Sequence, residues 1–244
     1  MYVFLGICLC LLSFKSHGDD DPRQRPLDPF VYEGALDGQP KVLYAVLHPN
    51  LWVAYDLNSG SMYKAWQGRV QFEEVTDSTV KERNATTDGY TYLEYDPQNV
   101  YWRVRRNGKT ETPKLRYLGH DIDKNLLTIH REFILSDGTI FQLDEYPEYV
   151  PKKEGDMTGL ERLFTLKNVP AGVEVSLEVD FDGMLFGSDI KTSGKIKNAK
   201  KEKRHYDWGS LYDFTGSVLL KSDEPTSLTS IFAINPELVV KRNQ

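Results

Sequence analysis

Few residue types in this chain could do chemistry, and most of them are badly spaced for it. Its 2 cysteines, Cys8 and Cys10, both lie inside the apolar run Val3–Phe14 (VFLGICLCLLSF). That run has the length of a signal-peptide core and is too short to cross a bilayer. Ser16-His17-Gly18 sets small residues at −3 and −1 of a cleavage point before Asp19. Cleavage there predicts a secreted chain without any thiol, so it would hold no cysteine nucleophile and no disulfide. His48, His120, His130 and His205 would remain. None stands in an H-x-x-x-H or H-E-x-x-H spacing, and there is no G-x-S-x-G elbow. The expectation is no cofactor, no metal and no catalytic residue.

The acids offer two patterns. Asp144, Glu145 and Glu148 surround Tyr146, Pro147 and Tyr149. Glycoside hydrolysis needs two carboxylates a set distance apart across a sugar, which neighbours on a strand do not provide. The group reads as a solvated strand end. Asp121-Ile-Asp-Lys-Asn125 imitates the opening of a calcium loop, but Leu126 occupies the position where the sharp turn needs glycine. It reads as a polar turn between two strands.

Three features point to binding. Lys195, Lys197, Lys200, Lys201, Lys203 and Arg204 (KIKNAKKEKR) form the one basic cluster, in a chain whose formal charge is −6. Such a cluster suits a sulfated polyanion or proteolytic processing after Lys203-Arg204, and as a solvated loop it needs no ligand at all. Trp52, Tyr55, Tyr63 and Trp66 gather aromatic rings that could stack on a sugar. Trp52 and Tyr55 are an odd number apart, so on a strand they point to opposite faces and part of the group belongs to the core. Lys64 and Trp66 share a face and are ligand-contact candidates if that face is wet. Asn84-Ala85-Thr86 is an N-glycosylation sequon in a polar stretch, a surface loop in a eukaryotic secreted protein.

Strands must position these residues. Val173, Val175, Leu177, Val179 and Phe181 alternate with Glu174, Ser176, Glu178 and Asp180, the mark of a strand with one wet face. Val100, Trp102 and Val104 alternate likewise with Tyr101, Arg103 and Arg105. Asp37-Gly38, Asp88-Gly89, Asn107-Gly108, Asp137-Gly138 and Asp182-Gly183 are tight-turn signals. No long stretch keeps a helical period. The prediction is an all-β fold, a large β-sandwich of about 12–14 strands with little helix. Residues 1–18 form the signal, 19–29 a mobile acidic and proline-rich leader, and 30–244 a single sandwich domain with a charged loop near 189–204.

Leu27–Phe72, with its PFV opening, LDG turn, LWVAYD strand and YKAW segment, resembles an uncharacterised β-rich accessory module of bacterial extracytoplasmic proteins that also carry cytochrome c or haem-binding domains. The resemblance extends through Tyr101–Arg105, Arg116–His120 and Gly159–Phe164, covering residues 27–180. It implies an extracytoplasmic module and brings no activity with it. The C-x-x-C-H haem attachment is absent, so a redox role has no support here.

The expected function is a secreted, non-catalytic protein that binds a glycan or another extracellular macromolecule. The acidic balance argues against nucleic acid, and no later run is long enough to span a membrane. A carbohydrate-active enzyme built from scattered Asp, Glu and His is the alternative. A structural matrix component, hinted at by Asp19–Asp21, is the third. Signal cleavage predicts that the purified protein unfolds at the same temperature with and without reductant. A fall of several degrees in reductant means that the cysteines are retained and in use.

Overall fold

The computed structural model describes residues 30–72, 85–124, 126–151, 157–185, 190–206, 209–235 and 237, with the backbone alone at 180–185, 201, 203–206 and 209–214. The leader, both cysteines and Asn84 lie outside the described residues.

The first five strands are β1 (Phe30–Leu36), β2 (Gln39–His48), β3 (Leu51–Asp56), β4 (Met62–Phe72) and β5 (Ala85–Glu94), and they close into a barrel. Neighbours in sequence pair antiparallel, and the closure is a short parallel contact between Leu36 and Ala85. Asp37 fastens it. Its N–H donates to the Ala85 carbonyl (2.9 Å), and its carboxylate accepts from the Thr87 N–H (2.7 Å). The barrel explains why LWVAYD is buried at every position. Val42, Tyr44, Val46, Trp52 and Trp66 join a core made of barrel residues alone, while Leu43, Ala45, Leu51, Val53 and Tyr55 face the main core. Strands packed on both faces read as continuous apolar runs.

The other strands form two sheets. One runs β13 (Ile190–Thr192), β16 (Thr226–Ala233), β11 (Met157–Lys167), β10 (Ile140–Pro151), β9 (Leu126–Ile134), β8 (Lys114–Asp123). The second runs β14 (Lys195–Tyr206), β15 (Gly209–Leu220), β12 (Val173–Leu185), β6 (Trp102–Arg106), β7 (Lys109–Glu111). They face each other across the main core. Trp102 of β6 meets Phe133 of β9 (5.4 Å) and Phe164 of β11 (5.5 Å) edge-on. Edge-to-face rings suit the aromatic quadrupole and lock the sheets together.

The fold is the expected all-β sandwich, with a barrel added. Sixteen strands are present among the described residues, more than the sequence pattern suggests. The stretch predicted as a charged loop near 189–204 is instead occupied by β13 and β14. Its residues carry no apolar alternation. They are held as a strand by backbone pairing to β15, from Lys195 opposite Leu219 to Tyr206 opposite Gly209. A lysine-rich edge also discourages pairing with another chain.

The Asx-Gly pairs divide. Asp37-Gly38 and Asn107-Gly108 take the left-handed angles of tight hairpins (φ 50° and 81°, 50° and 77°). Asp88-Gly89 lies within β5 and Asp182-Gly183 within β12, the latter at a register shift. Gly89 faces Gly68 of β4, and a Cβ on either would sit 2.0–2.1 Å from the other strand's backbone carbonyl. The barrel wall therefore needs glycine twice at one crossing. Gly68→Ala or Gly89→Ala is expected to cost about 3 kcal/mol or more, because backbone must move. Gly138→Ala, which meets nothing within 4 Å but keeps φ +83°, is expected to cost about 1–2 kcal/mol. Denaturant unfolding of the three variants checks that order.

Candidate functional site

On the core faces of β9, β10 and β11, apolar residues alternate until one charged residue interrupts each strand. Arg131 stands in line with Leu127, Ile129 and Phe133, Glu145 with Phe141 and Leu143, and Arg162 with Leu160 and Phe164. Glu145 lies opposite Ile129 and Phe164, with Leu143 opposite Arg131 and Pro147 opposite Arg162. Both arginines are thus diagonal neighbours of Glu145, within reach for long side chains. Arg131 Nη1 and Arg162 Nε each donate to the carboxylate at 2.6 Å. From β3 of the barrel, the Tyr55 hydroxyl donates to it at 2.7 Å.

The electrostatics follow from burial. Desolvation alone would raise the Glu145 pKa, but the Arg162 and Arg131 guanidiniums and the Arg162 and Tyr55 hydrogen bonds outweigh it and hold it down to about 2. Burial, and then the Glu145 carboxylate, push the Tyr55 phenol well above its ordinary value, so it stays a neutral donor. Arg131 also lies over the Tyr55 ring, 5.1 Å from its centre. This corrects the expectation of a solvated strand end: Glu145 is 0% exposed in mid-strand.

Its neighbour Asp144 points to the opposite face and is also buried. Asp144 accepts from Lys167 (2.5 Å) and pairs with His130 Nδ1 (2.8 Å), whose Nε2 meets Asp121 (3.0 Å). Burial works against a charge on His130, but the two carboxylates prevail and raise its pKa. An imidazole with a carboxylate on each nitrogen has both ring positions occupied by protein partners. His48 accepts from the Asn50 N–H (3.1 Å) and stacks on Tyr149, and His120 lies against Tyr117 and Glu33. Among the described residues no group of three His, Cys, Asp or Glu could hold a metal. Asp144 and Glu145, on opposite faces of one strand, cannot flank a sugar as a hydrolytic pair.

Lys64 and Trp66 do share a face, but it is the barrel interior: they pair with Ala54 and Trp52. Trp66 is 1% exposed and stacks on Trp52. Lys64 is buried against Asp37 (3.0 Å), Glu94 (3.2 Å) and the Thr87 hydroxyl (2.8 Å). Neither is presented to solvent. The condition of a wet face fails because a closed sheet turns that face inward.

The basic cluster fares differently. Lys195 and Lys197 lie opposite Leu219 and Ser217, on the outer face of the five-stranded sheet. Lys200 is an odd step further and would point inward on a regular strand. A register shift at Asn198-Ala199, with Asn198 at φ 55°, sets Lys200 opposite Thr215 and restores it to the outer face. Lys201, Lys203 and Arg204 continue the strand, paired with Phe214, Tyr212 and Leu211. Lys197 meets Glu174 (3.4 Å), while Lys195 and Lys200 are exposed and pair with no carboxylate among the described residues. Across the sheet, Arg103 and Arg105 face Glu178 (2.7 Å) and Glu174 (3.6 Å). Next to Lys195, an open groove of about 510 Å³ is lined by Ser193, Leu219, Lys221, Glu174 and Asp223.

No family model matches the chain, and no curated protein does. It is similar to a solved structure, the crystal structure of 4-alpha-glucanotransferase from Thermococcus litoralis, with TM-score 0.41 and 9% identity. The match covers 87% of this chain and 40% of that one, so the chain spans less than half of that enzyme's length. A likeness this low transfers neither fold nor activity. No helix among the described residues is long and apolar enough to cross a membrane.

Glu145→Gln is expected to cost about 3–5 kcal/mol at neutral pH, since it strands two buried guanidiniums. The pH dependence has a fixed sign. The folded-state pKa lies below the ordinary 4.5, so this contribution is complete above that value and lost as pH falls toward about 2. Acid unfolding of the wild type should steepen in that window, and the variant should lose that part of the slope.

Proposed function

We propose that this chain is a secreted binding protein that takes a sulfated or otherwise polyanionic glycan on the outer face of its five-stranded sheet, along β14. The supporting observation is the bulge at Asn198-Ala199, which brings Lys200 onto the face of Lys195 and Lys197. A bulge that re-aims a side chain is a designed feature of a strand. Cations spaced along an extended strand match anionic groups spaced along an extended polymer. The adjoining groove has a volume within the range of small-ligand sites and mixes hydroxyl, charged and apolar walls, as a sugar requires. Secretion rests on the apolar run before Asp19, and the resemblance of residues 27–180 to extracytoplasmic modules supports the same location.

The acidic remainder of the chain makes the proposal selective. In a chain of formal charge −6 a polyanion would be held by the local lysines of this face, and only at moderate salt, because exposed charges are screened within about 8 Å at physiological ionic strength. On immobilised heparin the purified chain is expected to be retained. Lys195→Ala combined with Lys200→Ala should elute at clearly lower salt, with folding stability changed by less than about 0.5 kcal/mol. No retention, or the same elution for both proteins, overturns the proposal.

A further inference from the structure

From the charges around the core we infer that the small cavity beside Arg162 is a site for one monovalent anion of halide size. The cavity has a volume of about 20 Å³, and its walls include Ser61 of the turn before β4, Trp102 of β6, Arg162 of β11 and Ser230 of β16. That is room for a single particle about as large as water.

Two features select an anion over water. The first is unused donors. Ser61 Oγ and Trp102 Nε1 are buried without a hydrogen-bond partner, and both residues line this cavity. An indole N–H can only donate, so its partner must be an acceptor. The second is charge. Arg131 and Arg162 are 1% and 7% exposed at their side chains, Glu145 is 0% exposed, and Tyr55 is neutral. Within this cluster two cations meet one anion, and Arg131 Nη2 has no partner of its own. The other buried acids, Asp56 and Asp144, are engaged elsewhere, by the Asn58 and Ser59 N–H groups and by His130 and Lys167. A buried excess charge is expensive unless a counter-charge accompanies it. The acid on the cavity wall, Glu178, holds its carboxylate against Arg103 at 2.7 Å and is 40% exposed, so it does not supply that counter-charge. A halide accepts from Trp102 and Ser61 and balances Arg162 in the same position. Water satisfies the donors and leaves the charge.

The test is thermal unfolding at constant ionic strength, with sodium gluconate, whose anion is too large for the cavity, replaced stepwise by sodium chloride or bromide. The midpoint is expected to rise with halide, by on the order of 5 °C at a hundred times the dissociation constant. Ser61→Ala and Trp102→Phe should each reduce that rise by half or more. Crystals of the wild type grown in bromide should show an anomalous peak between Ser61 and Trp102. A midpoint indifferent to halide, an undiminished rise in both variants, or a bromide-grown crystal with only water in the cavity overturns the inference.

Discussion

One carboxylate, Glu145, joins four strands without touching solvent. Arg131, Arg162 and Tyr55 converge on it from β9, β11 and the barrel strand β3. Its importance lies less in net energy, since buried ion pairs rarely outperform apolar packing, than in the arrangements it forbids. A one-residue slip of β10 would exchange Asp144 and Glu145 between faces, offer the arginines a shorter acid in place of Glu145 and break Asp144 from His130 and Lys167. The cluster therefore fixes the register of the central strands. Tyr55 extends that constraint to the barrel, alongside the hydrogen bonds of Gln67 with Asn235 and of Glu33 with Tyr117 and His120 at the barrel's other contacts.

A scaffold held in this way has consequences for where ligands can act. The aromatic rings of the barrel are consumed by packing, with Trp52 on Trp66 and Tyr32 on Tyr44. His48, His120 and His130 have hydrogen-bond or carboxylate partners. What the core does not use is the outer face of the five-stranded sheet, where Lys195 and Lys200 stand exposed. That division is the physical basis for assigning binding to β14 and structure to the rest.

Much of the fold was legible from alternation. Val173 to Val179 is buried at every second residue, as are Trp102 and Val104. Trp52 and Tyr55 separate into different cores, as their odd spacing requires. The failures share a cause: their signal lies in a partner distant along the chain. β14 has no alternation of its own and becomes a strand through β15. Glu145 sits among polar neighbours, while its arginines lie 14 and 17 residues away. Asp88-Gly89 carries a turn signature, yet its glycine serves a strand crossing that only the pairing with Gly68 reveals. Lys64 and Trp66 were correctly placed on one face, but barrel closure decided that it is the inner one.

The central claim is that polyanion binding belongs to the outer face of β14 and its neighbours. An NMR titration with a sulfated oligosaccharide tests it directly. Amide shifts should concentrate at Lys195–Lys200 and at Ser217–Leu219, with the barrel strands unmoved. Shifts centred on the barrel or on β8–β10, or none at saturating ligand, would contradict it.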